Sequence, residues 1–498
     1  MSRLWLMRLR VGILAVLLVV VMFVSAACGG ASGGTGSGSG GSNASGLAPA
    51  TVFGFATVNT DWGSSQIADG SAVLDKFPFH TQLIASLKRS IGSDGTDVAK
   101  LQSSVGPEVD VAILKAGGTT SAVGFTKPKD VAGFVSTLGA ATKHEQIDGW
   151  TVFSSSQAAI DAVKNRTGNL SDSTGYQAAE GALPGDALAT AYVDRSAFAL
   201  IGSTAARAVA GAGAAVGKGL SVGPSSATGA LDATKLDWLS AAVTAHDSGI
   251  ELQVHLHSTV APAGSGSASS DLSGEIPSGA LVAASFDGSG ASGTLAQAGG
   301  SATSTLGPML QQALGVNLKD LLAAVNGPVI AFAKAGTPLP EVTLAAKPAD
   351  AAAAAATVKA LISKLAKGAA PTAVTVDGAT LDRFAVGPLS VFVGTFDGQL
   401  VVSDSQQAVS ELKGSGGKLS DDSAFKDAKS ASGLPGAPQG WFYVDLKDSI
   451  PTVEAFAGLA GQKIPAQVNG NLKPLRSLIA YATRDGQTQT VVVFLQTN

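Results

Sequence analysis

The chain has 498 residues, which is enough for about two to four domains of ordinary size. Apolar residues make up 45% of it, so a substantial core is possible, whereas charged residues make up only 14%. The net charge is −4 and no cluster of Lys or Arg occurs beyond the N-terminus, which argues against a nucleic-acid partner.

Residues 1–27 have the three parts of a secretory signal peptide. MSRLWLMRLR (1–10) carries three arginines and no acid, residues 11–24 are apolar apart from Gly12, and residues 25–27 are small. The apolar run is shorter than the ~20 residues that span a bilayer. We therefore expect export, with the residues beyond position 28 on the extracytoplasmic side of the membrane.

Cys28 is the only cysteine in the chain, so no intrachain disulfide can form. A lone cysteine directly after the small residues of a signal peptide resembles a bacterial lipoprotein signal, in which the cysteine is lipidated and becomes the N-terminus. Ser25 stands where that signal usually has leucine. Lipid attachment at Cys28 is the favoured interpretation, and a cleaved secreted protein or an uncleaved signal anchor remain alternatives.

Residues 28–46 combine this cysteine with a flexible tether. GGASGGTGSGSGGSNASG (29–46) contains no core-forming residue, and chain statistics give it a reach of about 23 Å.

Two stretches of the chain carry nearly the same sequence. IDGWTVFSSSQAAI (147–160) and FDGQLVVSDSQQAV (396–409) match at seven of fourteen positions without a gap, and further pairs of segments follow in the same order. The sequence therefore predicts a tandem duplication, with repeats over 47–260 and 275–498 joined by a linker over 261–274.

Each repeat is predicted to be α+β. Apolar residues fall at the i, i+3, i+4, i+7 spacing from Val131 and again from Val358, which predicts helices with one apolar stripe, capped by Asp130 and Asp350. Asp-Gly between apolar runs predicts tight hairpins. We expect a mostly antiparallel sheet in each repeat, with helices covering one face. Whether the two repeats share one sheet is left open.

The segment LSDDSAFKDAKSASGLPGAPQGWFYVDL (419–446) resembles the signature of an uncharacterised bacterial family, the domain of unknown function 3352. The run from Glu275 to Ala280 is similar to the start of that domain. The resemblance covers most of 47–498. It implies an exported or membrane-attached protein and offers no catalytic residues to carry over.

Two glycine motifs do not predict an enzyme. The GxGxxG match over 288–293 lacks the acid that a dinucleotide site needs some twenty residues later. The GxSxG match over 219–223 lies in a Gly- and Ala-rich stretch and not between a strand and a helix. We expect no cofactor.

His255 and His257 are weak candidates for a metal site. In IELQVHLHS they alternate onto one face with Glu251 and Gln253, and two histidines at i, i+2 can share a metal, with Glu251 or His246 as a further ligand. The second repeat has Val491 and Val493 near the matching positions. We therefore interpret this face as a solvated polar surface and expect no bound metal.

The combined features predict a membrane-anchored, extracytoplasmic lipoprotein that acts as a non-catalytic binding or scaffold module of the cell envelope. Its expected partners are the membrane, through the lipid, and an unknown envelope protein or small apolar ligand. One alternative is a carrier of lipid or another apolar ligand. A second alternative is an envelope hydrolase that uses His246, His255 or His257.

Overall fold

The computed structural model describes the chain from residue 43 to residue 498, with gaps. The described ranges are 43–82, 85, 98–138, 141–201, 235–260, 273–289, 324–336, 340–366, 368, 370–387, 389–414, 416–459 and 465–498. The predicted signal peptide, Cys28, tether residues 29–42 and linker residues 261–272 lie outside them, as do residues 219–223 and 290–293 of the glycine motifs.

The first half of the described chain, residues 43–260, contains eight strands and six α-helices. The strands are β1 (Gly54–Asn59), β2 (Glu108–Ala116), β3 (Thr119–Thr126), β4 (Lys143–Ile147), β5 (Trp150–Ser154), β6 (Ala189–Asp194), β7 (Leu236–His246) and β8 (Gly249–Ser258). The helices are α1 (Ser65–Asp75), α2 (Val98–Ser104), α3 (Val131–Thr137), α4 (Gln157–Lys164), α5 (Thr174–Gly181) and α6 (Arg195–Ile201).

The second half, residues 273–498, contains ten strands and five α-helices within its described residues. The strands are β9 (Ala280–Asp287), β10 (Pro328–Lys334), β11 (Glu341–Ala346), β12 (Thr372–Val376), β13 (Ala379–Val386), β14 (Leu389–Phe396), β15 (Gln399–Ser403), β16 (Gly440–Asp445), β17 (Leu475–Asp485) and β18 (Thr488–Thr497). The helices are α7 (Ala351–Leu365), α8 (Gln406–Leu412), α9 (Ser423–Ser432), α10 (Leu446–Leu459) and α11 (Ala466–Leu472).

All eighteen strands belong to one sheet, and every pairing in it is antiparallel. From one edge to the other the order is β4-β5-β3-β2-β1-β6-β7-β8-β18-β17-β16-β9-β10-β11-β15-β14-β13-β12. The predicted α+β class and antiparallel pairing are confirmed. The sequence left open whether the two halves share one sheet. They do, because β8 of the first half pairs with β18 of the second half.

The hairpins that meet at this junction have the same internal register. In β7–β8, Leu236 pairs with Ser258 and the register then shifts before Trp238. In β17–β18, Leu475 pairs with Thr497 and the register shifts before Ser477. The two irregularities lie 239 positions apart in the sequence. Gln253 of β8 faces Val492 of β18, its own equivalent at that spacing, so a local two-fold axis passes between them.

The halves also differ in width. Among the described residues of the first half, the sheet ends at β4, which pairs with β5 on one side. In the second half it continues past β14 to the added strands β13 and β12, which form a hairpin at the far edge. The two halves therefore share an order of strands but are not strand-for-strand copies.

Helices cover both faces of the sheet. On the front face, defined as the side that bears Tyr192 and Tyr443, residues of α4, α5, α8 and α9 pack into two large cores. On the back face, α1, α6 and α7 pack against the opposite side chains of the strands. The prediction of one covered face is wrong because the strands of the middle of the sheet bury both sides, as Leu239 and Ser240 of β7 do.

The structure confirms the predicted helix N-caps and the predicted hairpin turn. The Asp130 carboxylate accepts a hydrogen bond from Gly133 N at 3.0 Å, and that of Asp350 accepts one from Ala353 N at 2.9 Å, as predicted for N-caps. The Asp148-Gly149 hairpin turn has φ angles of 48° and 82°, as a tight hairpin requires.

The predicted apolar stripes are incorrect at their outer ends. Val131 begins α3 and is 44% exposed, and Leu365 ends α7 and is 49% exposed. Each of the two residues lies at an end of its helix. Within the described residues no helix combines the length and the apolar character needed to cross a bilayer.

The segment that follows the predicted tether is built into the first half. Ala44, Leu47 and Ala48 are buried in its front core. Ala44 N donates to an Asp110 carboxylate oxygen at 2.8 Å, and Leu170 N donates to Ala48 O at 2.8 Å. The tether predicted over 28–46 therefore overlaps the folded first half at residues 43–46.

Candidate functional site

The candidate site is a polar strip on the front face where the two halves meet. We call it the junction strip. It consists of Glu251, Gln253, His255 and His257 on β8 and Thr488 and Thr490 on β18.

The junction strip lies in the gap between two helices of the front face, and we call this gap the groove. Helix α5 rests on β6 and β7, whereas α9 rests on β16, β17 and β18, so β8 lies between them. Consistently, Gln253 is partly exposed although Ala242 and Val492 on either side of it are buried. Solvent therefore reaches the middle of the sheet between the two hydrophobic cores of the front face.

His255 is the most buried polar side chain of the junction strip, with 6% of its surface exposed. Its Nδ1 lies 2.9 Å from the Thr490 hydroxyl, and its Nε2 is buried without a hydrogen-bond partner among the described residues. Burial lowers the pKa of the imidazole below its usual value, so the ring is held neutral. One ring nitrogen is thus left with an unmet hydrogen bond.

His257 is held in a different way. Its ring stacks on the Trp238 indole with centroids 5.1 Å apart and planes 7° apart, and its Nδ1 lies 3.0 Å from the Thr488 hydroxyl. Each of the two imidazoles is therefore bonded to its own threonine on β18. Among the described residues no group of three or more His, Cys, Asp or Glu side chains could hold a metal ion.

His246 and Glu251 approach each other at the end of the junction strip. His246 Nε2 lies 4.0 Å from a Glu251 carboxylate oxygen and 3.2 Å from the Thr244 hydroxyl. Burial raises the pKa of the Glu251 carboxyl, and the nearby His246 lowers it in part. The Thr244 hydroxyl and the Glu251 carboxylate therefore both lie near Nε2 of His246. A catalytic triad that activates a hydroxyl needs the carboxylate on the other ring nitrogen, Nδ1.

The interpretation of this face as a solvated polar surface is wrong for His255, because the sheet continues on both sides of β8 and two cores flank it. The residues expected to be equivalent to these histidines in the second half also differ from the observed ones. At the spacing of 239 positions, His255 corresponds to Phe494 and His257 to Gln496, not to Val491 and Val493. The two hairpin turns have the same length, which fixes this correspondence.

Three partners of the histidines were not predicted: Thr488, Thr490 and Trp238. The signal for the threonines is present in TQTVVV, where Thr488 and Thr490 alternate onto one face. Without knowing that β18 lies beside β8, the sequence gives no reason to pair them with the histidines.

A second buried ionisable group lies on the front face of the first half. Asp110 is fully buried and accepts hydrogen bonds from Ala44 N at 2.8 Å and from the Thr57 hydroxyl at 2.6 Å. Burial, with Glu108 nearby, raises the pKa of this carboxyl to about 7. The equivalent strand pair of the second half places Ile330 opposite Ser285, so this carboxyl is peculiar to the first half.

The fold and junction strip define an α+β protein with one continuous antiparallel sheet and a polar groove at its centre. Comparison with known proteins finds no family model, no curated protein and no solved structure that matches the chain. The resemblance to the domain of unknown function 3352 therefore stays a prediction.

Proposed function

We propose that the protein is a lipid-anchored, extracytoplasmic, non-catalytic binding module of the bacterial cell envelope. The proposed location is supported by the N-terminal sequence, which has the pattern of a signal peptide, the sole cysteine of the chain at position 28 and a Gly/Ser-rich tether.

The observation that carries the binding function is the partly exposed junction strip between two buried cores. Concave sites with a few converging polar groups are the usual form of a small-molecule site. Its position on the local two-fold axis gives the groove a contribution from each half.

We further propose that the halves arose by tandem duplication of one module similar to the domain of unknown function 3352. Equivalent aromatic pairs support this proposal. Tyr176 packs edge-on against Tyr192 with centroids 5.2 Å apart, and Phe425 packs in the same way on Tyr443 at 5.0 Å. Each second tyrosine begins a Tyr-Val-Asp run in which the aspartate accepts a backbone hydrogen bond from the helix that follows.

Two other functions fit the geometry less well. A carrier of an apolar ligand would need an apolar floor, whereas Gln253 and His255 line this one. A hydrolase would need an activated hydroxyl, whereas the Thr244 hydroxyl and the Glu251 carboxylate share the same nitrogen of His246.

Metabolic labelling with a palmitate analogue tests the anchor. We expect the wild-type protein to carry the label and to sediment with membranes, and we expect a Cys28→Ser variant to lose both properties. Ser25→Leu is the matched control, because leucine is the usual residue there, and it should keep the label. An unlabelled wild-type protein, together with a Cys28→Ser variant that stays equally membrane-bound, would overturn the proposal.

A further inference from the structure

We infer that the groove over the junction strip binds a small uncharged ligand rich in hydroxyl groups, with His255 as its central hydrogen-bonding residue. This inference rests on the proposed binding function and names the chemistry of its ligand.

The first step is the unmet hydrogen bond of His255. If the Thr490 hydroxyl donates to Nδ1, then Nε2 carries a proton and needs an acceptor. If Nδ1 donates to Thr490, then Nε2 is an acceptor that needs a donor. Either way a buried polar atom is left without a hydrogen-bond partner, which is unfavourable. Native proteins retain such a group mostly where an ion, a water or a ligand completes it.

The second step is access to that atom. Gln253 and His257 flank His255 on the same face of β8, and both are partly exposed. Nothing bonds the Gln253 amide among the described residues, so its side chain is free to move aside and open Nε2 to the groove. The same amide then offers a ligand one acceptor and two donors.

The third step is the ligand's charge. An anion would be repelled by the Glu251 carboxylate at the end of the junction strip, and a cation would find only that one carboxylate among the described residues of the strip. Hydroxyl groups fit this floor because each one both donates and accepts, and so satisfies either tautomer of His255. Saccharides, polyols and glycolipid headgroups share this chemistry.

The second half supplies the test variant. Phe494 occupies the position equivalent to His255 and is buried in the front core of that half, so phenylalanine suits this place in the fold. His255→Phe should therefore fold with an unchanged or higher melting temperature and bind the ligand at least about tenfold more weakly. His144→Phe is the control, because His144 is exposed on the edge strand β4.

Saturation-transfer NMR on the full-length chain, in a detergent without a sugar headgroup, measures binding. The probes are glycerol, glucose, N-acetylglucosamine and trehalose. A parallel arm measures flotation of Cys28→Ser protein with phosphatidylcholine vesicles that contain or lack a galactosyl diacylglycerol. We expect one probe to bind the wild-type and His144→Phe proteins and to lose affinity in His255→Phe, and the responding arm identifies a free saccharide or a headgroup.

Two outcomes overturn the inference. One is that no probe binds, in which case Nε2 is completed by water alone. The other is that a probe binds His255→Phe as strongly as wild type. Neither outcome depends on labelling at Cys28, so failure of the ligand assignment and failure of the lipid anchor are distinguishable.

Discussion

Replacing Gly249 with alanine is expected to lower the free energy of unfolding by about 3 kcal/mol, because the new methyl group would collide with the strand across the junction. Gly249 begins β8 and pairs with Gln496 of β18. A Cβ at Gly249 would lie far inside contact distance of the Leu495 carbonyl oxygen. That oxygen is backbone and cannot turn away as a flexible side chain can, so the strands must separate.

Urea denaturation of the purified protein measures this effect. Gly185→Ala is the matched control, because a Cβ at Gly185 meets no atom within 4 Å, and its free energy of unfolding should stay within about 0.5 kcal/mol of wild type. If Gly249→Ala were as stable as Gly185→Ala, the two halves would not pack edge to edge at this point.

Asp110→Asn is expected to make the protein more stable than wild type at pH 8, by about 4 kcal/mol, and this advantage should vanish near pH 4. The fold raises the pKa of the Asp110 carboxyl from 3.8 to about 7. Between these values the folded chain holds one proton more than the unfolded chain. The contribution of the protonated Asp110 carboxyl to the free energy of unfolding is therefore fully present below about pH 4 and is lost as the pH rises to 7.

Asparagine can keep the same bonds at neutral charge. Its oxygen can accept from Ala44 N, and its amide can donate to the Thr57 hydroxyl. Urea melts of both proteins at a series of pH values between 4 and 8 measure the difference. Asp427→Asn, an exposed carboxylate on α9, is the control and should follow the wild-type pH curve. Parallel curves for Asp110→Asn and wild type would contradict this account of Asp110.

Much of the local structure could be predicted from the sequence because short-range chemistry determines it. Asp148-Gly149 must turn tightly, since both residues adopt positive φ angles that other pairs adopt at a cost. Asp130 and Asp350 precede apolar stripes and cap them. The α+β class follows from such signals taken together.

The pairing of the two halves and the burial of His255 could not be predicted, because both depend on contacts between residues more than 200 positions apart. His255 alternates with apolar residues on β8, which is equally compatible with a solvated edge strand. Only the pairing of β8 with β18 brings Thr490 beside it and closes the sheet around it. The added hairpin of β12 and β13 also shows that similar segments do not guarantee equal strand counts.

The most direct test of the account is a disulfide across the junction. Gln253 and Val492 face each other on β8 and β18, at a separation that suits a cross-strand bridge. In a Cys28→Ser background, cysteines at both positions should link within one chain under mild oxidation and shift its mobility on non-reducing gels. Cysteines at 253 and 490 are out of register and should link far more slowly. Failure of the 253–492 pair to bridge, or equal bridging by both pairs, would contradict a single sheet joined at β8 and β18.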